Sequence, residues 1–380
     1  MKILLTGTRS PVTPDLVRAF ASCGHDVHAA DSLRFDSGAR GLAGKGLAGF
    51  TLLTAPNTDF DRFASDAEAL VDRLRPDLII PLCEDIFHWT RLAARLAKGR
   101  DWPLFAPSLD LIMRLHSKQA FIDMAGGLGL NVPQTQRLVR DEVGKDGTSF
   151  VFKPEYSRFG EEALVRPHQT PALRPTDNPW VKQAWIDGED LSFHVLAVQG
   201  QMTAFSAYTS HWRTRGGASY SFDPVDETVA TELEAMARRL VTGLKLHGQF
   251  GCDLRRDLNG RYWLIECNPR ATSGLHLLAH DPEALSAAFV SADAPLLKMS
   301  NRSACFGPAM CLFGLPSAVM SGRLQVWWQD LSRARDVTKG QRLAVLSDSL
   351  RIMLRGLLGG QSLAAALTAD IECNRDVLCP

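Results

Sequence analysis

The sequence lacks a long apolar run. No stretch reaches the roughly 18 consecutive apolar residues that a membrane-spanning helix needs, so no membrane partner is expected. It lacks net charge: 42 Lys and Arg balance 42 Asp and Glu. Nucleic-acid affinity rests on excess Lys and Arg, so no nucleic-acid partner is expected either. It lacks a CxxC pair. Its eight cysteines stand apart at 23, 83, 252, 267, 305, 311, 373 and 379, which argues against a zinc ribbon or a thioredoxin-type site. Scattered cysteines read as reduced, mostly buried thiols. With an initial apolar run, Ile3-Leu4-Leu5, too short for a signal peptide, they make a cytoplasmic protein the expectation. Finally it lacks GxGxxG. The turn Gly7-Thr8-Arg9-Ser10 follows a strand-like run but is a poor dinucleotide fingerprint.

What is present is a soluble composition, 45% hydrophobic and 22% charged, over 380 residues, enough for two or three domains. Strand-like runs at 2–6, 26–30 and 77–81 alternate with helical patterns. Val12, Leu16, Val17 and Phe20 carry the first helix, and Phe63, Ala67, Leu70, Val71 and Leu74 the second. That alternation predicts a doubly wound parallel sheet over 1–106, with the glycine-rich stretch 36–49 as a surface loop. Strands then dominate, including a hairpin over 191–208 that turns near Gln199-Gly200, followed by a helix over 228–246. Residues 304–315 read as a strand pair. A helix over 343–358 is expected to bury Leu346, Leu350, Met353, Leu354 and Leu357. No periodic oligomer signal stands out, and a homodimer rests on frequency alone.

The segment from Asp253 to Arg270 carries the most chemistry. Asn259-Gly260 between two strand-like runs is a strong hairpin signal. Counting back from a two-residue loop pairs Leu258 with Arg261 and sets Asp253 opposite Glu266. Opposed residues on a sheet stand roughly 5 Å apart, and two carboxylates that close need a proton or a cation between them. Asn268, two residues on, shares the face of Glu266. Asp253, Glu266 and Asn268 thus form a hard oxygen-ligand set suited to magnesium. The same count puts Cys252 and Leu254 against Trp263, Ile265 and Cys267 on a packing face, so Cys267 is not read as a nucleophile.

This hairpin, with its Glu266-Cys267-Asn268-Pro269-Arg270 ending, resembles the metal-binding strand pair of the ATP-grasp superfamily of carboxylate–amine ligases, of the kind typified by carbamoyl-phosphate-synthase-like and D-alanine–D-alanine-ligase-like proteins. The resemblance covers roughly residues 1–280. It implies an α/β and α+β architecture: the N-terminal sheet, an ATP-grasp fold of two α+β subdomains over 107–300 with a lid subdomain over about 118–184, and a mostly helical C-terminal segment over 301–380. It also implies ATP and Mg2+ as cofactors. Asp253, Glu266 and Asn268 would hold the metal, and Arg270 would stabilise the transferred phosphoryl group. Lys118, early on a helix, and Lys153, ending the apolar run Phe150-Val151-Phe152, resemble the two phosphate lysines. The loop Tyr156-Ser157-Arg158-Phe159-Gly160 would cover the phosphates. Gln183, Trp185 and Ile186 resemble the linker that holds adenine, with Asp190 at the ribose. Arg213 and Arg215 would lie near phosphate or a substrate carboxylate.

The implied activity is an ADP-forming ligation of a small carboxylate to an amine, here expected to be an amino acid, through an acyl phosphate. Lys153 and Arg270 are the expected catalytic pair. Two alternatives stay open: a catalytically silent ATP-binding sensor, to which the Gln183-Ala184 departure from the usual glutamate points, and a nicotinamide-dependent dehydrogenase. The commoner meanings of single residues are plainer. Glu84 and Asp85 can cap a helix. His88, His194, His211 and His247 have no metal-ligand spacing and read as structural.

Overall fold

The N-terminal sheet is parallel throughout, because each of its short apolar strands is followed by a crossover. Strand β1 (Lys2–Thr6) leads through α1 (Thr13–Ser22) to β2 (Asp26–Asp31). Strand β3 (Leu47–Leu52), helix α2 (Phe60–Leu74), strand β4 (Leu78–Pro81) and helix α3 (Asp85–Arg95) follow. The strand order is β3-β2-β1-β4. Strand β3 corrects the end of the expected surface loop over 36–49, at residues 47–49, while residues 39–41 and 43 of that stretch lie outside the described residues. It is an edge strand whose residues are mostly half-buried or exposed, so it shows neither alternation nor a solid apolar run. The computed structural model describes residues 1–38, 42, 44–96, 101–157, 162–172, 178–214, 219–360 and 362–374. Arg158, Phe159, Gly160 and Arg215 lie outside them.

Helices α4 (Leu109–His116) and α5 (Lys118–Gly127) meet at Ser117. Its Oγ accepts from the amide of Ala120 and so caps α5. A small antiparallel sheet in the order β5-β8-β6-β7 comprises β5 (Thr135–Arg137), β6 (Phe150–Pro154), β7 (Leu164–Val165) and β8 (Trp180–Ala184).

The large sheet is built from β9 (Gly188–Val198), β10 (Gln201–Thr209), β11 (Ser221–Pro224), β12 (Gly248–Asp257) and β13 (Tyr262–Asn268). Helix α6 (Glu227–Gly243) lies between β11 and β12 in sequence and ends three residues earlier than its pattern suggests. The order begins β13-β12-β9-β10-β11. Phe193, Val195, Phe250 and Leu264 of this sheet pack against Phe121 and Ile122 of α5 and Leu233 and Leu240 of α6. Side chains alternate along a strand, so Asp190, Ser192 and His194 of β9 take the opposite face. That face is where the polar residues gather.

The chain then runs through α7 (Leu275–Leu278), α8 (Pro282–Val290), β14 (Leu297–Lys298), β15 (Ala304–Cys305), α9 (Gly307–Ala309), a π-helical turn at Met310–Gly314, α10 (Leu315–Met320) and α11 (Leu324–Arg333). The expected strand pair at 304–315 is therefore corrected to one two-residue strand followed by helix. A short β16 (Arg335–Asp336) pairs with β15, and α12 (Arg342–Gly359) and α13 (Leu363–Thr368) complete the segment. Helix α12 forms where expected, but Leu346, Leu350, Met353, Leu354 and Leu357 are exposed rather than inside. Among the described residues no helix is long and apolar enough to cross a membrane.

The C-terminal residues return to the N-terminal sheet. The buried Arg9 guanidinium pairs with Asp31 and, at 2.6 Å, with Asp370. The carbonyls of Ile371 and Cys373 lie 3.1 Å from His88 Nε2 and 2.7 Å from His116 Nε2. Burial pulls both imidazoles down to about 4, so at neutral pH they are uncharged and their Nε2–H groups can donate to these carbonyls. Ligands of open parallel sheets sit at the carboxyl ends of the strands. Here Ile371 lines a small cavity together with Thr6, Gly7, Asp31, Leu53 and Asp85.

Candidate functional site

The β12–β13 hairpin sets Asp253 opposite Glu266, the predicted pairing, by a different route. The loop has three residues, Leu258, Asn259 and Gly260. The Asp257 amide donates to Arg261 O and the Gly260 amide to Asp257 O. A bulge at Ile265 then restores the register, since Leu254 pairs with Leu264 while Asp253 pairs with Glu266. The packing face is corrected accordingly. Tyr262, Leu264 and Cys267 join Cys252 and Leu254 in the core, whereas Trp263 and Ile265 are only half-buried.

Each carboxylate has its own partners. Asp253 accepts from Ser192 Oγ at 2.7 Å and from Asn268 Nδ2 at 3.0 Å. Burial and the nearby Glu266 charge push its pKa up. Glu266 receives Lys153 Nζ at 3.0 Å, with Lys118 Nζ at 3.9 Å. Burial alone would raise its pKa, but Lys153 and Lys118 outweigh it and hold the carboxyl down. Both lysines are buried. Lys153 arrives from the end of β6 and Lys118 from the first turn of α5. Lys118 also donates to Ser157 Oγ at 3.0 Å, and burial lowers its pKa to about 8. Two ammonium groups focused on one carboxylate, with a second carboxylate opposite, set cationic donors beside hard oxygen ligands, an arrangement that fits a polyanion bridged by a cation.

Asn268 and Arg270 extend the row. Arg270 donates through Nη2 to Asn268 Oδ1 at 2.9 Å, and its Nε lies 3.5 Å from the buried Glu84. Glu84 thereby anchors the arginine across from the N-terminal sheet. Among the described residues no group of three or more His, Cys, Asp or Glu could hold a metal. A set of two carboxylates and one amide would need other oxygens, such as those of a phosphate, to fill a magnesium shell.

The linker residues lie nearby with most of their polar groups in use. Gln183 is buried, and its Nε2 donates to Thr135 Oγ1 and to Ile265 O, tying β8 to β13. The Trp185 amide donates to Ser149 O, and its ring lies 4.2 Å from the Arg255 guanidinium. Ile186 is half-buried between β8 and β9. Asp190 is exposed and pairs with Arg213 at 3.0 Å and Arg255 at 3.4 Å.

Several residues here carry no signal in the sequence. Ser192 stands opposite Asp253 only because β9 pairs with β12. Tyr208 is buried near Asp253, with its pKa raised by burial, and is placed by the β9–β10 register. Glu155, fully buried, holds Ser117 and, at 2.7 Å, Arg137, and so fixes the turn that presents Lys118. Its place right after Lys153-Pro154 was the one available hint.

A family model described as an ATP-grasp domain matches residues 116–274. No curated protein sequence matches the chain significantly. Among solved structures, N5-carboxyaminoimidazole synthetase from Staphylococcus aureus complexed with ADP is 12% identical, over 84% of this chain and 86% of that one, with a TM-score of 0.60. L-amino acid ligase from Bacillus licheniformis is 14% identical over 80% and 78%, with a TM-score of 0.56. The biotin carboxylase domain of Hydrogenobacter thermophilus 2-oxoglutarate carboxylase, in complex with MgADP, ADP and bicarbonate, is 12% identical over 76% and 70%, with a TM-score of 0.57. At such identities the likeness is one of fold.

Proposed function

The chain carries an ATP-grasp domain over residues 116–274, and from that premise we propose that it is an ATP-dependent carboxylate–amine ligase. The observation that carries this reading is the convergence of Lys118 and Lys153 on Glu266, opposite Asp253. Bound Mg2+–ATP would supply the phosphoryl group and neutralise its charge.

The chain's own residues do the rest. Asp253, Glu266 and Asn268 present oxygens to magnesium. Lys118 and Lys153 would bind phosphate oxygens of the nucleotide. Arg270, held by Asn268 and Glu84, faces the developing charge of the transferred phosphoryl group and of the acyl phosphate. The Ile186 backbone, between the occupied Trp185 amide and β9, takes adenine, and Asp190 takes the ribose. Arg213 orients Asp190, and Arg215 belongs to the same reading. The carboxylate substrate accepts the phosphoryl group to give an acyl phosphate. Attack by an amine, in this reading that of an amino acid, expels phosphate and forms the amide. No side-chain nucleophile is required, and exclusion of water falls to the lid. Residues 1–106, 107–300 and 301–380 form the three working units, with the lid at about 118–184. The setting is taken to be the cytoplasm.

The dehydrogenase alternative loses ground, because at the strand ends where a nicotinamide cofactor would sit Ile371 lines the cavity and Arg9 is already paired with Asp370. The test mixes protein, Mg2+ and ATP with pooled amino acids and small acids and measures ADP and phosphate. A pool that stimulates ADP release, with a product detected by mass spectrometry, is expected. ATP binding without stimulation by any pool would favour the sensor reading. Glu266→Ala should cut turnover by at least about 100-fold. A variant as fast as wild type would remove Glu266 from the metal site.

A further inference from the structure

Helix α12 places its apolar residues where a buried helix would, yet the structure leaves them in solvent. Leu343, Leu346, Leu350, Met353 and Leu357 are all exposed, as is Leu354. Their spacing is three, four, three and four, the a/d pattern of a helix that packs along a partner helix. The run covers barely two heptads, too short to stand out in the sequence. It becomes a signal because nothing among the described residues covers it.

The opposite side of the helix is already committed. Asp348 accepts from the amides of Asp36 and Ser37 and from Ser37 Oγ, and Arg351 pairs with Asp36 at 3.0 Å. These contacts fix the rotation of α12 and turn its leucine seam outward.

We infer that this seam is the contact between two copies of the chain, α12 against α12 about a two-fold axis near Leu350. Charge selects the occupant. Helices that lie on anionic membranes are rich in Lys and Arg on their polar face. Here Arg342 pairs with Asp336 and Arg351 with Asp36, which leaves Arg355 as the one basic residue of α12 without an acidic partner among the described residues. The positions flanking the seam are Arg342, whose charge Asp336 meets, and Ser347, Ser349, Leu354 and Gly356, so no uncompensated charge among them repels an identical helix. A two-fold contact needs a self-complementary surface, and an uncharged leucine seam is one. At roughly 100 Å² of apolar surface per fully exposed large side chain, the six residues offer about 400 Å² per copy. That is half of what a stable dimer buries, so the association is weak, with a dissociation constant on the order of micromolar. Leu324 and Trp328 of α11, also exposed, add apolar surface on the same C-terminal segment.

Sedimentation velocity of the full chain, from about 1 to about 200 µM, tests this. The mass should rise from that of the 41.7 kDa monomer toward twice that value. Leu350→Arg and Leu346→Arg should stay monomeric throughout, with unchanged circular dichroism, because both positions are exposed. A wild type that remains monomeric at every concentration overturns the inference. So does a dimer that survives both substitutions. Binding to phosphatidylglycerol vesicles that Leu350→Arg abolishes, without any self-association, would overturn it in favour of a membrane surface.

Discussion

Lys118 is a buried ammonium whose charge depends on its neighbours. Burial brings its pKa to about 8, with Glu266 opposing that fall and Lys153 adding to it. Above pH 8 the nucleotide-free protein therefore loses this charge, and a triphosphate alongside would restore it. ATP binding should take up a proton above pH 8, and affinity should fall as pH rises through that value. Calorimetry in buffers of different ionisation enthalpy measures the uptake, and Lys118→Met should abolish it. Asp85 shows the reverse case. Burial lifts its pKa to about 7, against the hydrogen bond from Thr6 at 2.5 Å. Its folded pKa exceeds the unfolded one, so its protonation supports the fold below about pH 4, and that support is lost as pH climbs to 7. Asp85→Asn should match wild type in unfolding free energy near pH 4 and exceed it at pH 8, by on the order of 1–3 kcal/mol, read by denaturant unfolding. At this scale the residue types of the site were legible in the sequence, since Asp253, Glu266, Lys118 and Lys153 do meet. Ser192 and Glu84 were not, because ordinary serines and helix-start acids gain meaning only from the strand or helix placed beside them.

Strands and turns reached the predicted pairing through two departures that cancel. One extra loop residue shifted the β13 register by one, and the bulge at Ile265 shifted it back. Asn-Gly signals a turn but not its length, and bulges leave no trace in a hydrophobic pattern. Removing Asn259 should shorten the loop to two residues and leave the Asp253–Glu266 pairing intact only if the bulge at Ile265 is kept. Without that, Glu266 turns away from Lys153, and Mg2+-dependent turnover should vanish while the melting temperature shifts little. Gly188, at the start of β9, is a stricter position. Its φ is +148°, and a Cβ there would sit 1.9 Å from Arg256 O. Gly188→Ala should break the end of the β9–β12 ladder and cost about 2–4 kcal/mol, read by denaturant unfolding. Helix α12 shows the limit of periodicity. The pattern identified the helix correctly and said that something covers it, but not whether that something is the same chain.

The whole molecule is closed by a contact that no local pattern announces. Arg9 meets Asp370 across 361 residues of sequence, and both ends of that pair are charged residues in unremarkable loops. Breaking a buried pair strands the remaining charge, so Arg9→Met should cost about 3–5 kcal/mol. Asp370→Asn should cost less, because Asp31 still faces the guanidinium; thermal unfolding separates the two. The same contact dictates a timetable. Chains emerge at about 5–20 residues per second, so Arg9 waits roughly 20–70 seconds after its own synthesis before Asp370 exists. During that interval the small cavity lined by Leu53, Phe63 and Trp89 lacks Ile371 from its wall. The N-terminal sheet is thus made long before the residues that complete its wall, and Arg9 spends that time with Asp31 as its one buried partner of the two.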